Sequence, residues 1–264
     1  MIADTDFQTE YSLTRLFQKV VIESIPNGNG TNHSIVLSEF SAKRGRADVI
    51  CAVFKEEIRD IEETRVLAQS LSEISKARIL SLLRKSAGYS EEYLEESLGL
   101  GKSTIKKHAR DLLNAGMIER TPGKLLKLSK SFNIPKIEIW AFELKLNNWK
   151  RAFHQAKRYR GFSHNVVVVM PNGRLTAAKD HIDYFRGMNV GLAGMSKDGK
   201  LEYILKPKRK RPSSKGHYFY SIGKILTRYE NSDLNTVTKI KKGCSPIQQV
   251  PIARRGLEGH ATPH

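Results

Sequence analysis

The stretch Arg46-Ala47-Asp48-Val49-Ile50-Cys51-Ala52-Val53-Phe54 is apolar at alternate and intervening positions alike, save for its first residue, Arg46, and one aspartate near its start. A strand apolar on both faces belongs in the interior of a sheet that is covered on both sides, the arrangement of α/β folds. Two later stretches share the texture: Lys136 to Leu146 (KIEIWAFELKL) and Asn165 to Pro171 (NVVVVMP). Shorter strands are predicted at Ser34 to Phe40, before the turn SAKRG, and within NVGLAGMSKDGKLEYIL, which turns at Lys197 to Gly199. Helices are predicted around them. Over residues 7–24, Leu13, Leu16, Phe17, Val20 and Val21 fall at i, i+3, i+4, i+7 and i+8, one apolar stripe. Further helices are read at Asn148 to Arg160 and Ala177 to Arg186, and Pro26 to Asn32 (PNGNGTN) reads as a loop. The expectation is an α/β fold with a mixed sheet flanked by helices.

After Phe54 the strand texture stops and returns only near Lys136, so the α/β unit is interrupted. Lys55 to Ser70 is charged and helical, and residues 72–132 follow the order helix, helix, helix, hairpin. SEISKARILSLLRKSAG carries Ile74, Ala77, Ile79, Leu82 and Leu83 and is expected to end at Gly88. Ser90 is placed to cap EEYLEESLGL, whose acidic first turn suits the helix dipole. KSTIKKHARDLLNAG turns Ile105, Ala109, Leu112 and Leu113 inward and Lys102, Thr104, Lys106, Lys107 and Arg110 outward, with Gly116 closing the helix. A hairpin follows, with Thr121, Pro122 and Gly123 at its tip. Ser103-Thr104-Ile105, Leu112-Leu113, Gly116-Met117-Ile118 and the hairpin around Thr121 to Lys124 resemble the winged helix-turn-helix family of bacterial regulators. That resemblance implies a third helix in the DNA major groove, read by the five outward residues, and a wing against the backbone. The alternative is a winged helix that binds protein or closes a dimer. His108 lies beside the apolar stripe and reads as a core-edge residue.

Charge narrows the partners. Lys and Arg number 45 against 27 acidic residues, a formal charge of +18, which favours a polyanion such as nucleic acid. No apolar run approaches the ~20 residues of a membrane span, and the acidic N-terminus lacks the layout of a secretory signal. Cys51 and Cys244 form no disulfide or zinc pattern and fit a reducing cytoplasm.

Two strands carry the chemistry. Asp48 stands on the first; Glu143 and Lys145, two apart, point to one face of the strand IWAFELK. Charges side by side in an apolar strand cost several kcal/mol unless something compensates them, and a metal ion with its water is one such compensation. The ordered set of a helix glutamate (Glu10), a strand aspartate (Asp48), Glu143-x-Lys145 on the next strand and Gln155-x-x-x-Tyr159 on the following helix resembles the PD-(D/E)XK nuclease superfamily. Ala47 stands where that family usually has proline, and 95 positions separate Asp48 from Glu143, a gap filled by the inserted segment. The resemblance implies a restriction-endonuclease-like core in which Asp48, Glu143 and Glu10 hold Mg²⁺ (Mn²⁺ being the substitute), Lys145 orients the attacking water, Gln155 orients a phosphate oxygen or the nucleophile, and Tyr159 braces its helix. It implies hydrolysis of phosphodiesters in DNA, in a restriction, defence, recombination or repair setting, with RNA or branched DNA as other substrates. A double-strand cutter with one site per chain would act as a homodimer, and a protein partner in a larger complex is compatible. A regulator with a nuclease-like scaffold and no activity is the alternative.

The expected organisation is therefore 1–56 and 134–205 for the two parts of the core, 57–133 for the insertion, and 206–264 for a basic C-terminal extension opening on KPKRKR. Disorder is expected in its last ~20 residues. Glu138, on the face opposite Glu143, reads as a partner for a lysine; Glu23, His164 and His181 read as structural or surface residues, and Trp140 and Trp149 as packing residues. Arg44, Arg46 and Lys150 flank the site and read equally as phosphate contacts or as solvated charge.

Overall fold

The computed structural model describes residues 7–25, 34–43, 45–58 and 60–230. The chain opens with helix α1 (Glu10–Ser24) and strands β1 (Ser34–Ser41) and β2 (Arg46–Phe54). Helices α2 (Ile61–Leu71), α3 (Ile74–Leu82), α4 (Glu91–Leu98) and α5 (Lys102–Asn114) follow, then a ribbon of β3 (Ile118–Arg120) and β4 (Leu126–Leu128). The remainder is β5 (Ile137–Leu144), α6 (Trp149–Tyr159), β6 (Asn165–Pro171), α7 (Thr176–Lys179), α8 (Ile182–Met188), β7 (Gly191–Met195), β8 (Leu201–Leu205) and α9 (Lys215–Glu230).

Six strands form one mixed sheet in the order β1-β2-β5-β6-β7-β8. The inner strands β5, β6 and β7 run parallel, and β1, β2 and β8 join antiparallel. Parallel neighbours need crossovers, which α6 and the α7–α8 pair supply. Every residue of β5 and β6 is buried, as their continuous apolar runs require. The protein is thus α/β, with helices on both faces of the sheet.

On one face, Thr9 caps α1 by accepting the Ser12 N–H, and Leu13, Phe17 and Val21 are buried one turn apart. They pack on Val49, Cys51, Phe142, Leu144 and Val167, with the Phe17 and Phe142 ring centroids 4.8 Å apart. Truncating a buried phenylalanine of this kind costs about 3–5 kcal/mol. The second face is covered by α6, α8 and the elements between β2 and β5, in one continuous apolar cluster.

Those intervening elements join two strands that are neighbours in the sheet. The helix, helix, helix, ribbon order is present from α3 to β4. Ser90 caps α4 by accepting the Tyr93 N–H, and His108 is buried with Nε2 3.2 Å from Glu73.

Several stretches depart from the sequence reading. Residues 55–58 and 60 lie outside the helix expected from Lys55, and α3 stops at Leu82, well before Gly88. The helix expected over 177–186 breaks at Asp180–His181, where the His181 ring packs on Trp149 (centroids 4.7 Å apart) and its Nδ1 lies 2.9 Å from the Ala177 carbonyl oxygen. The clearest departure is α9, within a stretch read only as a basic extension. Phe219, Tyr220, Ile222, Ile225 and Leu226 are buried, and the helix packs along α2 and α3. Gly223 permits the approach, because a Cβ there would lie 2.5 Å from the backbone of Leu71 and Ser72. Tyr218 donates from its hydroxyl to the Ile137 carbonyl at 2.9 Å, tying α9 to the sheet. The expectations for the 26–32 loop, Arg44, Cys244 and the last residues lie outside the described residues. No helix among the described residues is long and apolar enough to cross a membrane.

Candidate active site

The site forms where β2 begins and β5 ends. The two strands pair through Val49↔Phe142, and at the next step, where Asp48 faces Glu143, the ladder opens. Asp48 Oδ2 accepts the Leu144 N–H at 2.8 Å in place of a main-chain partner. The other neighbour of β2 is irregular at the same level. Between the pairs Ser38↔Val49 and Phe40↔Ala47, Glu39 adopts φ +50°, a left-handed conformation that costs a non-glycine residue roughly 1–2 kcal/mol. Its carboxylate pairs with Arg46 Nε at 2.8 Å. The pairing of β2 thus lapses on both sides at Asp48.

Glu143 is fully buried on the face that α6 covers. The Tyr159 hydroxyl lies against Glu143 Oε2 and 2.7 Å from the Arg46 carbonyl oxygen. Glu143 Oε1 stands 3.4 Å from Lys145 Nζ and has no hydrogen-bond partner. Lys145 Nζ reaches across to Glu10 Oε2 at 3.0 Å. Gly45 makes room for the tyrosine: it has φ +129°, and a Cβ there would sit 3.1 Å from Tyr159 Cε1.

The electrostatics follow from burial. Glu143 is raised from 4.5 to about 7, first by desolvation and then by the Asp48 charge, against the lowering effects of Tyr159 and Lys145. Asp48 is also raised by desolvation, opposed by the Leu144 N–H and Lys145. Burial alone would lower Lys145, but its bond to Glu10 and the charges of Asp48 and Glu143 outweigh that and raise it. Desolvation and Glu143 hold Tyr159 well above the usual phenol range. One phenolic proton faces two acceptors, Glu143 and the Arg46 carbonyl. The Tyr159 hydroxyl donates toward Glu143 Oε2, with the Arg46 carbonyl as its second acceptor.

Glu10, Asp48, Glu143, Lys145 and Tyr159 therefore gather in one place, in different ways. Asp48 and Glu143 form a carboxylate pair, Lys145 touches Glu143, and Glu10 joins through Lys145 at the solvent edge. Gln155 lies one turn before Tyr159 on α6, with its Oε1 buried and unbonded. The direct Tyr159–Glu143 contact and the Glu39 irregularity were not read from sequence; Gly45 was the one trace of the former. Among the described residues, no group of three His, Cys, Asp or Glu side chains is arranged to hold a metal ion. A pair of carboxylates with an unbonded buried oxygen nonetheless fits Mg²⁺, which takes one or two carboxylates and completes its shell with water.

On α5, Lys102, Lys106, Lys107 and Arg110 are exposed and Thr104 is half-buried, all on the surface away from Ile105, Ala109 and Leu112. Glu138 is held by Lys55 and Arg209, and His164 is buried, its Nδ1 accepting the Ile139 N–H at 3.1 Å. Trp140 is buried, and Trp149 packs on His181 and Phe185. Compared with known proteins, the chain matches no family model, no curated protein and no solved structure.

Proposed function

We propose that this chain is a divalent-metal-dependent DNA endonuclease, a PD-(D/E)XK-type core with a winged helix-turn-helix inserted between β2 and β5. The observation that carries the reading is the meeting of Asp48, Glu143 and Lys145 at the open end of the β2–β5 ladder, with Glu143 buried and its Oε1 unbonded. Such an arrangement costs the fold stability and serves no packing purpose, which is the usual condition of a working site.

Asp48 and Glu143 would hold Mg²⁺ or Mn²⁺. The ion supplies Lewis acidity at the scissile phosphate and lowers the pKa of water. Lys145 orients the attacking water and balances charge that gathers on the phosphate oxygens. Glu10 keeps the Lys145 ammonium charged and aimed, while Tyr159 fixes the rotamer of Glu143 through its hydroxyl. Gln155, with a free carbonyl oxygen on the same helix face, orients a water or the sugar-phosphate. Lys102, Thr104, Lys106, Lys107 and Arg110 would meet the major groove and its phosphates.

The test is cleavage of supercoiled and linear DNA by the pure protein in Mg²⁺, Mn²⁺ or EDTA, beside Glu143→Ala. Metal-dependent cutting that the substitution abolishes is the expected result. Tight binding with no cutting, on every substrate and metal, would instead make the chain a DNA-binding regulator on a nuclease-like scaffold.

A further inference from the structure

Helix α6 divides into two faces. Ala152, Phe153, Ala156 and Tyr159 are buried against the sheet. Lys150, Arg151, His154, Lys157 and Arg158 are all exposed and fall at i, i+1, i+4, i+7 and i+8, one continuous stripe. The helix contains no acidic residue, and none of the five has an ion pair among the described residues. Helix α1, at the same end of the sheet, is instead mixed, with Glu10 and Glu23 among its basic residues.

A merely solvated face does not account for this pattern. Lys157 and Arg158 in the last turn suit the helix dipole, but Lys150 and Arg151 in the first turn oppose it, where Asp or Glu would stabilise the helix. The unfavourable end therefore keeps its cations against local preference. Position adds the second argument. Asn148, three residues past Lys145, caps α6 by accepting the Arg151 N–H, and Tyr159 in its last turn reaches Glu143 and Arg46. Both ends of the helix are thus held at the site's end of the sheet. The stripe spans about 12 Å at 1.5 Å per residue, the rise of roughly three to four phosphates along one strand of duplex.

We infer that the exposed face of α6 is a second DNA-binding surface, seating the phosphate backbone of the strand beside Asp48 and Glu143, separately from α5. The inference rests on the nuclease reading only for the choice of DNA as the polyanion.

The experiment is binding of the full chain to a fluorescent DNA duplex in EDTA, over a series of salt concentrations, so that no cleavage is required. Three proteins are compared with wild type: Arg151→Gln with Lys157→Gln and Arg158→Gln; Lys106→Gln with Lys107→Gln and Arg110→Gln; and a charge control, Lys206→Gln with Lys208→Gln and Lys210→Gln. Each lost phosphate contact lowers the salt slope by about 0.9, so the α6 variant should lose roughly 2–3 from the slope and bind at least about 10-fold more weakly at moderate salt. The α5 variant should lose affinity independently, and the control should change little. An unchanged slope in a folded α6 variant overturns the inference, as does an equal loss in the control. Vesicles rich in phosphatidylserine form the last arm: α6-dependent vesicle binding with α6-independent DNA binding would reassign the face to membrane. Failure of wild type to cut DNA in Mg²⁺ would sink the nuclease reading while leaving the α6 result to stand or fall by itself.

Discussion

Strand β5 buries two glutamates five positions apart, and they are treated in opposite ways. Glu138 is saturated. Its Oε1 accepts from Trp140 Nε1 at 3.2 Å and Asn165 Nδ2 at 2.8 Å, while its Oε2 lies 3.2 Å from both Lys55 Nζ and Arg209 Nε. Desolvation pulls its pKa up, yet Lys55, Arg209 and Asn165 outweigh that and hold it below the ordinary carboxylate range. Glu143 is more deeply buried, faces another carboxylate, and keeps one oxygen unbonded. The first is a carboxylate whose charge the fold has fully compensated. The second has one cation, Lys145 at 3.4 Å, which burial and the Asp48 charge outweigh, a state that a metal ion would relieve. What sets Glu143 apart is the combination of burial, an unbonded oxygen and a second carboxylate at Asp48.

On the proposed function, the largest expected effect separates the two glutamates in DNA cleavage. Glu143→Gln keeps size and the contact with Tyr159 but removes the charge, and should lower DNA cleavage at least about 10³-fold, the scale on which loss of a transition-state electrostatic group is felt. Glu138→Gln should leave cleavage within about 3-fold, once the folded fraction is allowed for. Comparable losses in the two variants would erase the distinction and point to a strand that merely needs both residues to fold.

How the pair could be read in advance differs between its members and their surroundings. The runs RADVICAVF, KIEIWAFELKL and NVVVVMP identify interior strands because almost any polar residue there would be buried, so their positions in the sheet are written locally. The opposition of Asp48 and Glu143 was legible only through the order of motif residues, since the register of two residues 95 positions apart is not a local property. Glu39 was not legible at all: its left-handed backbone sits at one point of the β1–β2 ladder, opposite Asp48, and no residue-by-residue pattern marks it. Helix α9 was missed for a related reason. It follows closely on the basic run KPKRKR, which drew the reading of an extension, and the groove of α2 and α3 that stabilises it lies more than 130 residues earlier. Of the basic face of α6 only Lys150 was singled out in the sequence, and the relation of that face to the site depended on where Tyr159 came to rest.

The next effect is on stability, and its pH dependence has opposite signs at the two glutamates. With Glu143 at about 7 in the fold against an ordinary 4.5, the folded chain holds a proton that the unfolded chain has released between those values. Its contribution is therefore fully present below about pH 4.5 and lost as pH rises through 7, a change of up to about 3 kcal/mol. Glu143→Gln, neutral throughout, should melt higher than wild type at pH 8 in EDTA and lose this dependence between pH 5 and 8. Glu138, held low, contributes stability above its unfolded pKa that disappears as pH falls through its folded value. Glu138→Gln should accordingly melt below wild type at neutral pH, with the gap closing in acid. Thermal unfolding of both variants at pH 4, 6 and 8 checks the crossing; parallel curves would mean that neither charge is coupled to folding as described.

The smallest effect concerns how far the saturation of Glu138 extends. Arg209 contributes one of its four contacts, but its side chain is 60% exposed, so water replaces much of what its removal takes away. Lys55 remains on the same carboxylate oxygen, and Trp140 and Asn165 hold the other. Arg209→Gln should therefore cost less than about 1 kcal/mol at neutral pH and leave the acid limb of the stability profile in place. Denaturant unfolding measures the difference directly. A loss of several kcal/mol would show that Glu138 depends on a single cation and is no better compensated than Glu143, and the contrast between the two ends of β5 would then have to be sought in Asp48, the like charge that only Glu143 must face.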